Sequence, residues 1–242
     1  MKNKIGWCTM TFNPVWGCRN NCSYCYARAI AKRFWKQRYI EEFNYYAKLH
    51  PGWAWTGDHL VGLKDFKPTW LESKFQKRLP RSPQRIFVGS MSEISYWEDR
   101  WLEKVLEKVK LYPQHVFQFL TRYPEVYDRH IFPKNCWLGV TITKEKDFER
   151  GTPCLFVTSC HITFVSVEPI LEHINPRPFS NANINWVILG AETGNRKGRI
   201  IPKKEWIENI VNYCKEASIP VYLKDSLKNI YPVEIKMFPE AK

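Results

Sequence analysis

His115-Val116-Phe117-Gln118-Phe119-Leu120, Cys136-Trp137-Leu138-Gly139-Val140, Ile162-Thr163-Phe164-Val165-Ser166-Val167 and Trp186-Val187-Ile188-Leu189 are successive short runs of mostly apolar residues. Each is rich in β-branched or aromatic side chains, the signature of strands buried on both faces of a parallel sheet. Arg85-Ile86-Phe87-Val88 precedes them and Pro220-Val221-Tyr222-Leu223 follows. A short first strand is expected between Thr9 and Pro14. Between the runs lie helical patterns. Asp99 to Leu111 puts Trp101, Leu102, Val105, Leu106 and Val109 on one face. Pro202 to Ala217 does so with Trp206, Ile207, Ile210, Val211 and Cys214, at the 3.6-residue period of an amphipathic helix. Strand and helix in alternation predict an α/β chain, a parallel-sheet partial (β/α) barrel of six to seven strands. A closed eight-unit barrel takes about 250 residues or more, and this chain has 242. The expected organisation is one domain over residues 1–242.

With 44% hydrophobic and 25% charged residues the chain has the composition of a folded protein. No apolar run approaches the ~20 residues of a membrane helix, and the start shows no signal-peptide core. The expectation is a cytoplasmic protein with no membrane partner. Lys and Arg number 37 against 24 Asp and Glu, a net charge of +13. That balance suggests an anionic partner, nucleic acid foremost.

In a parallel barrel the chemistry collects where strands end. Polar groups follow every run here: Ser90, Ser92 and Glu93; Thr121 and Arg122; Thr141 and Thr143; Glu168; Glu192 and Thr193; Lys224 and Asp225. Single members read equally well as helix caps; the set reads as the rim of a site. A carboxylate buried there needs a partner, and Arg122 or Lys224 is expected to pair with Glu168 or Glu192.

Residues 32–85 break the alternation. They hold Trp35, Tyr39, Tyr45, Tyr46, Trp53 and Trp55, and from Lys64 to Arg85 there are seven Lys or Arg against two Asp or Glu. Aromatics among bases suit stacking on unpaired nucleobases with phosphate neutralisation. The plainer reading is a long first crossover whose rings pack on the barrel. Its expected place is over the barrel mouth.

The cysteines are unevenly spread. Cys18, Cys22 and Cys25 fall in Gly17-Cys18-Arg19-Asn20-Asn21-Cys22-Ser23-Tyr24-Cys25-Tyr26-Ala27. A structural zinc site asks for four protein ligands. Three thiolates on one loop suit a [4Fe–4S] cluster with one iron left open for a small chelating ligand. A helix starting near Tyr26 would anchor the loop through Ala27, Ala29, Ile30, Ala31 and Phe34. Cys136, Cys160 and Cys214 read as small buried hydrophobes, as does Cys8.

The C-x3-C-x2-C spacing, with Tyr24 before the third cysteine, resembles the radical SAM superfamily. Thr11 to Cys18, Phe87 to Glu93, Phe117 to Pro124, Trp137 to Thr141, Phe164 to Pro169 and Val187 to Gly194 are similar to a phage- and prophage-associated radical-SAM-like family of unassigned function. Its members are often encoded beside a three-Cys-motif partner protein. The resemblance covers roughly residues 6 to 226. It implies that Cys18, Cys22 and Cys25 ligate the cluster and that S-adenosylmethionine is cleaved after one electron arrives from an external electron donor. It places Ser90, Ser92 and Glu93 where the methionyl amino group is held, though the usual double glycine is missing. Glu168 or Glu192 would take a ribose hydroxyl or face substrate, and Gly190 to Gly194 would approach the adenosine. Tyr24, Thr121 and Thr141 complete the expected cofactor contacts. Three functions follow: radical chemistry on a nucleic acid or nucleotide, the same on a small molecule, peptide or partner protein, or a non-catalytic iron–sulfur module that binds nucleic acid.

Overall fold

The computed structural model describes residues 5–52, 56–151 and 160–240. A seven-stranded parallel sheet, order β1-β4-β5-β6-β7-β8-β9, curls into a half-barrel. Its strands are Met10–Phe12 (β1), Arg85–Val88 (β4), Val116–Thr121 (β5), Cys136–Thr141 (β6), Ile162–Val167 (β7), Trp186–Leu189 (β8) and Val221–Leu223 (β9). Val15–Trp16 (β2) and Thr69–Trp70 (β3) form a separate antiparallel pair. The principal helices are Tyr26–Leu49 (α1), Glu72–Phe75 (α2), Asp99–Lys110 (α3), Val126–Arg129 (α4), Phe148–Gly151 (α5), Pro178–Asn181 (α6) and Lys204–Glu216 (α7).

Strand order follows chain order from β4 to β9, so each crossover returns a helical or looped segment to one face. On that face α3 buries Leu102, Val105, Leu106 and Val109, and α7 buries Ile207, Ile210, Val211 and Cys214. Burial of such side chains stabilises by about 1.5–3 kcal/mol each. The concave face is plugged by rings. Trp7, just before β1, meets Phe87 of β4 at 4.7 Å and Trp186 of β8 at 6.2 Å, edge to face. One end of the sheet thus touches strands near the other through side chains. Gly139 leaves the space this requires, since a Cβ there would lie 2.3 Å from the Phe164 ring.

The free edge of β9 is covered by the C-terminal segment, where Leu223 N donates to Ile235 O at 2.8 Å and Met237 N to Val221 O at 3.0 Å. A covered edge offers no template for another chain. Among the described residues no helix is long and apolar enough to cross a membrane.

The crossover from β1 to β4 departs from expectation. It carries the 24-residue α1, whose buried residues are Ala27, Ala31 and Glu42. Ile30 and Phe34, expected to anchor the cysteine loop, are exposed. Small residues let the helix lie close, and Trp35 and Tyr39 do the wider packing beside Trp16, Leu60 and Leu63.

Candidate functional site

Gly17 sets the entry to the cysteine loop. Its φ is +112°, and a Cβ there would fall 2.0 Å from the Lys67 carbonyl oxygen. Only glycine meets both conditions. The backbone is then pinned on two sides: Gly17 N donates to Met91 O at 3.0 Å and Cys18 N to Phe66 O at 2.8 Å. The first pin ties the loop to the segment after β4; the second ties it to the long crossover.

Cys18, Cys22 and Cys25 all remain free thiols of intermediate exposure. Asn20 N donates to Cys18 Sγ at 3.3 Å, and Arg28 N to Cys25 Sγ at 3.3 Å, so Cys25 caps α1. The first turn of α1 contains no acidic residue. Its dipole is therefore left to favour negative charge on the cysteine loop. Cys18 is pushed up to about 12, first by burial and then by the Glu93, Cys25 and Cys22 charges, against the Asn20 N–H bond. Alone it stays a thiol; a bound metal centre supplies the positive charge that removes its proton.

Asn20 is the hub of the loop. Its Oδ1 accepts from Tyr96 Oη and from Tyr123 Oη, both at 2.8 Å, and its carbonyl accepts from Arg28 Nη2 at 2.6 Å. Tyr96 follows β4 and Tyr123 follows β5, so two strand ends hold one loop. Neither tyrosine nor Asn20 was among the expected site residues. An amide between two metal-ligand cysteines, and a Tyr-Pro just past a strand, were the available signals.

Glu93 is buried, and burial raises its carboxyl above the usual range. Thr121 Oγ1 donates to it, as do Arg122 N at 3.1 Å and Ser95 N at 3.4 Å. Its oxygens are thereby committed to joining the β4 loop to the end of β5. Arg122 turns its Nη2 to Tyr24 Oη and to Thr143 Oγ1, the latter at 3.4 Å. Ser90 Oγ donates to Asn13 Oδ1 at 3.0 Å, and Ser90 O accepts from Tyr26 Oη at 2.7 Å. Ser92 pairs with Gly17 in a parallel bridge, and its hydroxyl accepts from Trp97 Nε1 at 3.0 Å. Tyr24, Ser90, Ser92, Glu93 and Thr121 therefore gather against the cysteine loop.

Glu168 and Lys224 pair over Gly190, where a Cβ would crowd both side chains at 3.0–3.1 Å. That pairing was expected. Glu192 is different: Arg196, four residues on in its own loop, holds it through two bonds of 2.6 and 2.8 Å. A local bidentate pair supplies the buried charge with a partner, and neither Arg122 nor Lys224 is needed. Thr141 ends β6 opposite Ser166, with no tie to the cysteine loop among the described residues. Cys8, Cys136 and Cys214 are buried as expected, whereas Cys160 is exposed.

The aromatic and basic stretch is mostly committed to packing. Tyr39 stacks on Phe43 at 6.2 Å, Tyr46 meets His59 edge-on at 5.1 Å, and Lys74 pairs with Glu41 at 3.2 Å. A groove of about 570 Å³ beside it is lined by Tyr46, Trp70 and Trp101 but also by Glu72 and Glu98, whose carboxylates repel phosphate. Trp53 and Trp55 lie outside the described residues.

Among the described residues no three Cys, His, Asp or Glu side chains could hold a single metal ion. Zinc gathers its thiolates about one point at about 2.3 Å; in an iron–sulfur cluster each thiolate takes its own iron. The loop as built fits the second demand better than the first. A search of solved structures finds a mutant of spore photoproduct lyase, with TM-score 0.47 and 11% identity over 87% of this chain and 74% of that one. No curated protein matches. A family profile described as "Protein of unknown function (DUF5131)" matches residues 2–230, so the chain belongs to that family.

Proposed function

We propose that this chain is a radical SAM enzyme, with Cys18, Cys22 and Cys25 holding a [4Fe–4S] cluster. The observation that carries the reading is the convergence at one end of the half-barrel: three free thiols on a pinned loop, at the N-terminus of α1, beside the ends of β4 and β5. With S-adenosylmethionine bound, such a cluster supplies the electron that cleaves its sulfonium and starts radical chemistry. The chain's own part is to bind and orient. Ser90 and Ser92 are half-exposed at the mouth and offer hydroxyl and carbonyl oxygens to an ammonium group. Arg122 shows bonds from only one of its guanidinium nitrogens, leaving donors for a carboxylate. Glu93 positions that guanidinium through the Arg122 backbone. The Glu168–Lys224 pair lies deeper on the concave face and suits a polar substrate group. The ring cluster around Trp186 closes the other end of the curl to water.

The test is reconstitution without oxygen, followed by electron paramagnetic resonance of the reduced protein. S-adenosylmethionine should shift the cluster signal, and Ser92→Ala should raise the concentration needed without lowering iron content. A signal indifferent to S-adenosylmethionine contradicts the reading.

A further inference from the structure

The first 40 residues hold eight Lys or Arg and no Asp or Glu, against +13 for the whole chain. Those cations flank the cysteine loop and continue along the outer face of α1. Arg19, Lys32, Arg33 and Lys36 form no ion pair among the described residues. Between them stand apolar side chains that the fold leaves outside: Ile30 and Phe34 are each 39% exposed and Ile40 is 57% exposed. Ile30, Arg33, Gln37 and Ile40 follow 3-4-3 spacing and line one edge of the helix. The Arg33 guanidinium sits 5.2 Å from the Phe34 ring.

We propose that this face of α1 is the docking surface for a small acidic protein that carries one electron; the proposal rests on the functional reading above. Charge complementarity names the sign of the partner, and the aliphatic side chains name its class. A protein interface wants an apolar centre with a charged rim. A nucleic acid wants accessible rings, and the rings of this crossover are largely packed inward. The face spans 15 residues from Tyr26 to Ile40, about 22 Å of helix, the small contact area typical of transient electron-transfer encounters. It begins at the helix cap, Cys25, so a partner docked here sits beside the proposed cluster. One electron leaves the partner, which is oxidised by one, and enters the cluster, which is reduced by one; no covalent bond changes at the interface.

Reduction of the reconstituted protein by reduced flavodoxin, an acidic one-electron carrier, is followed by bleaching of the cluster's visible absorption in stopped flow. Reduced methyl viologen serves as a small cationic donor. The variant combines Lys32→Glu, Arg33→Glu and Lys36→Glu, with cluster content and circular dichroism as folding controls. Its flavodoxin rate should fall by about tenfold or more at low salt and lose its salt dependence, while the viologen rate does not fall. An unchanged flavodoxin rate overturns the proposal. So does a variant that keeps that rate and instead loses binding to a labelled single-stranded oligonucleotide. A wild-type protein that assembles no cluster overturns the functional reading, and this proposal with it, before any donor is added.

Discussion

Gly17 and Asn20 make the cysteine loop what it is. At Gly17 a side chain meets both a positive φ and the Lys67 carbonyl, so relief requires the loop to leave the crossover. Gly17→Ala should cost about 2–5 kcal/mol, read as a lower urea midpoint, with iron uptake falling alongside. A wild-type midpoint would mean the loop is not pinned there. Asn20→Ala strips two tyrosine hydroxyls and the cysteine loop of their shared acceptor. A loss of about 1–3 kcal/mol is expected, together with faster loss of iron to a chelator. Tyr96→Phe with Tyr123→Phe should reproduce part of that chelator sensitivity. These ties are set by contacts 76 and 103 residues apart in sequence. The cysteine spacing announced the loop, but nothing local could announce what holds it.

The strands were the most legible elements, and the reason is burial on both faces. β7 is buried at every position, so its sequence is one unbroken apolar signal, and the expected bounds of β4, β7 and β8 coincide with those observed. β2 and β3, of two residues each, are too short to leave a pattern. α1 escaped because its inner face is built from alanines and a buried acid rather than large apolar residues. That acid, Glu42, accepts from Ser73 N at 3.0 Å and from the Ser73 hydroxyl, yet burial holds its carboxyl above the usual range. The folded state therefore keeps a proton that the unfolded chain releases. Its contribution is fully present below the ordinary carboxylate range and is lost as pH rises through the raised value. Glu42→Gln should flatten this part of the stability–pH curve; an unchanged curve would remove Glu42 as its source. Gln118 on β5 is fully buried with neither amide atom partnered among the described residues. Gln118→Met should stabilise the protein by about 1–3 kcal/mol in thermal or urea melts.

At the scale of the molecule, a half-barrel brings several strand ends and one helix N-terminus to a single loop, and the positive charge of the chain surrounds that loop. Composition reported the charge but not its purpose, because a sum carries no position. The structure locates much of it on the crossover beside the cysteines. The expected rim proved uneven: Ser90, Ser92, Glu93 and Thr121 join the loop, while Glu192 closes on Arg196 nearby. Periodicity locates strand ends, whereas the choice of ion-pair partner depends on loop geometry that no period records. The central claim is that the three cysteines hold a cluster that turns S-adenosylmethionine over. The most direct measurement is formation of 5′-deoxyadenosine by the anaerobically reconstituted, chemically reduced protein. The account predicts product from the wild-type chain and from Cys214→Ala, and none from Cys18→Ala, Cys22→Ala or Cys25→Ala; no product from wild-type protein carrying a full cluster would contradict it.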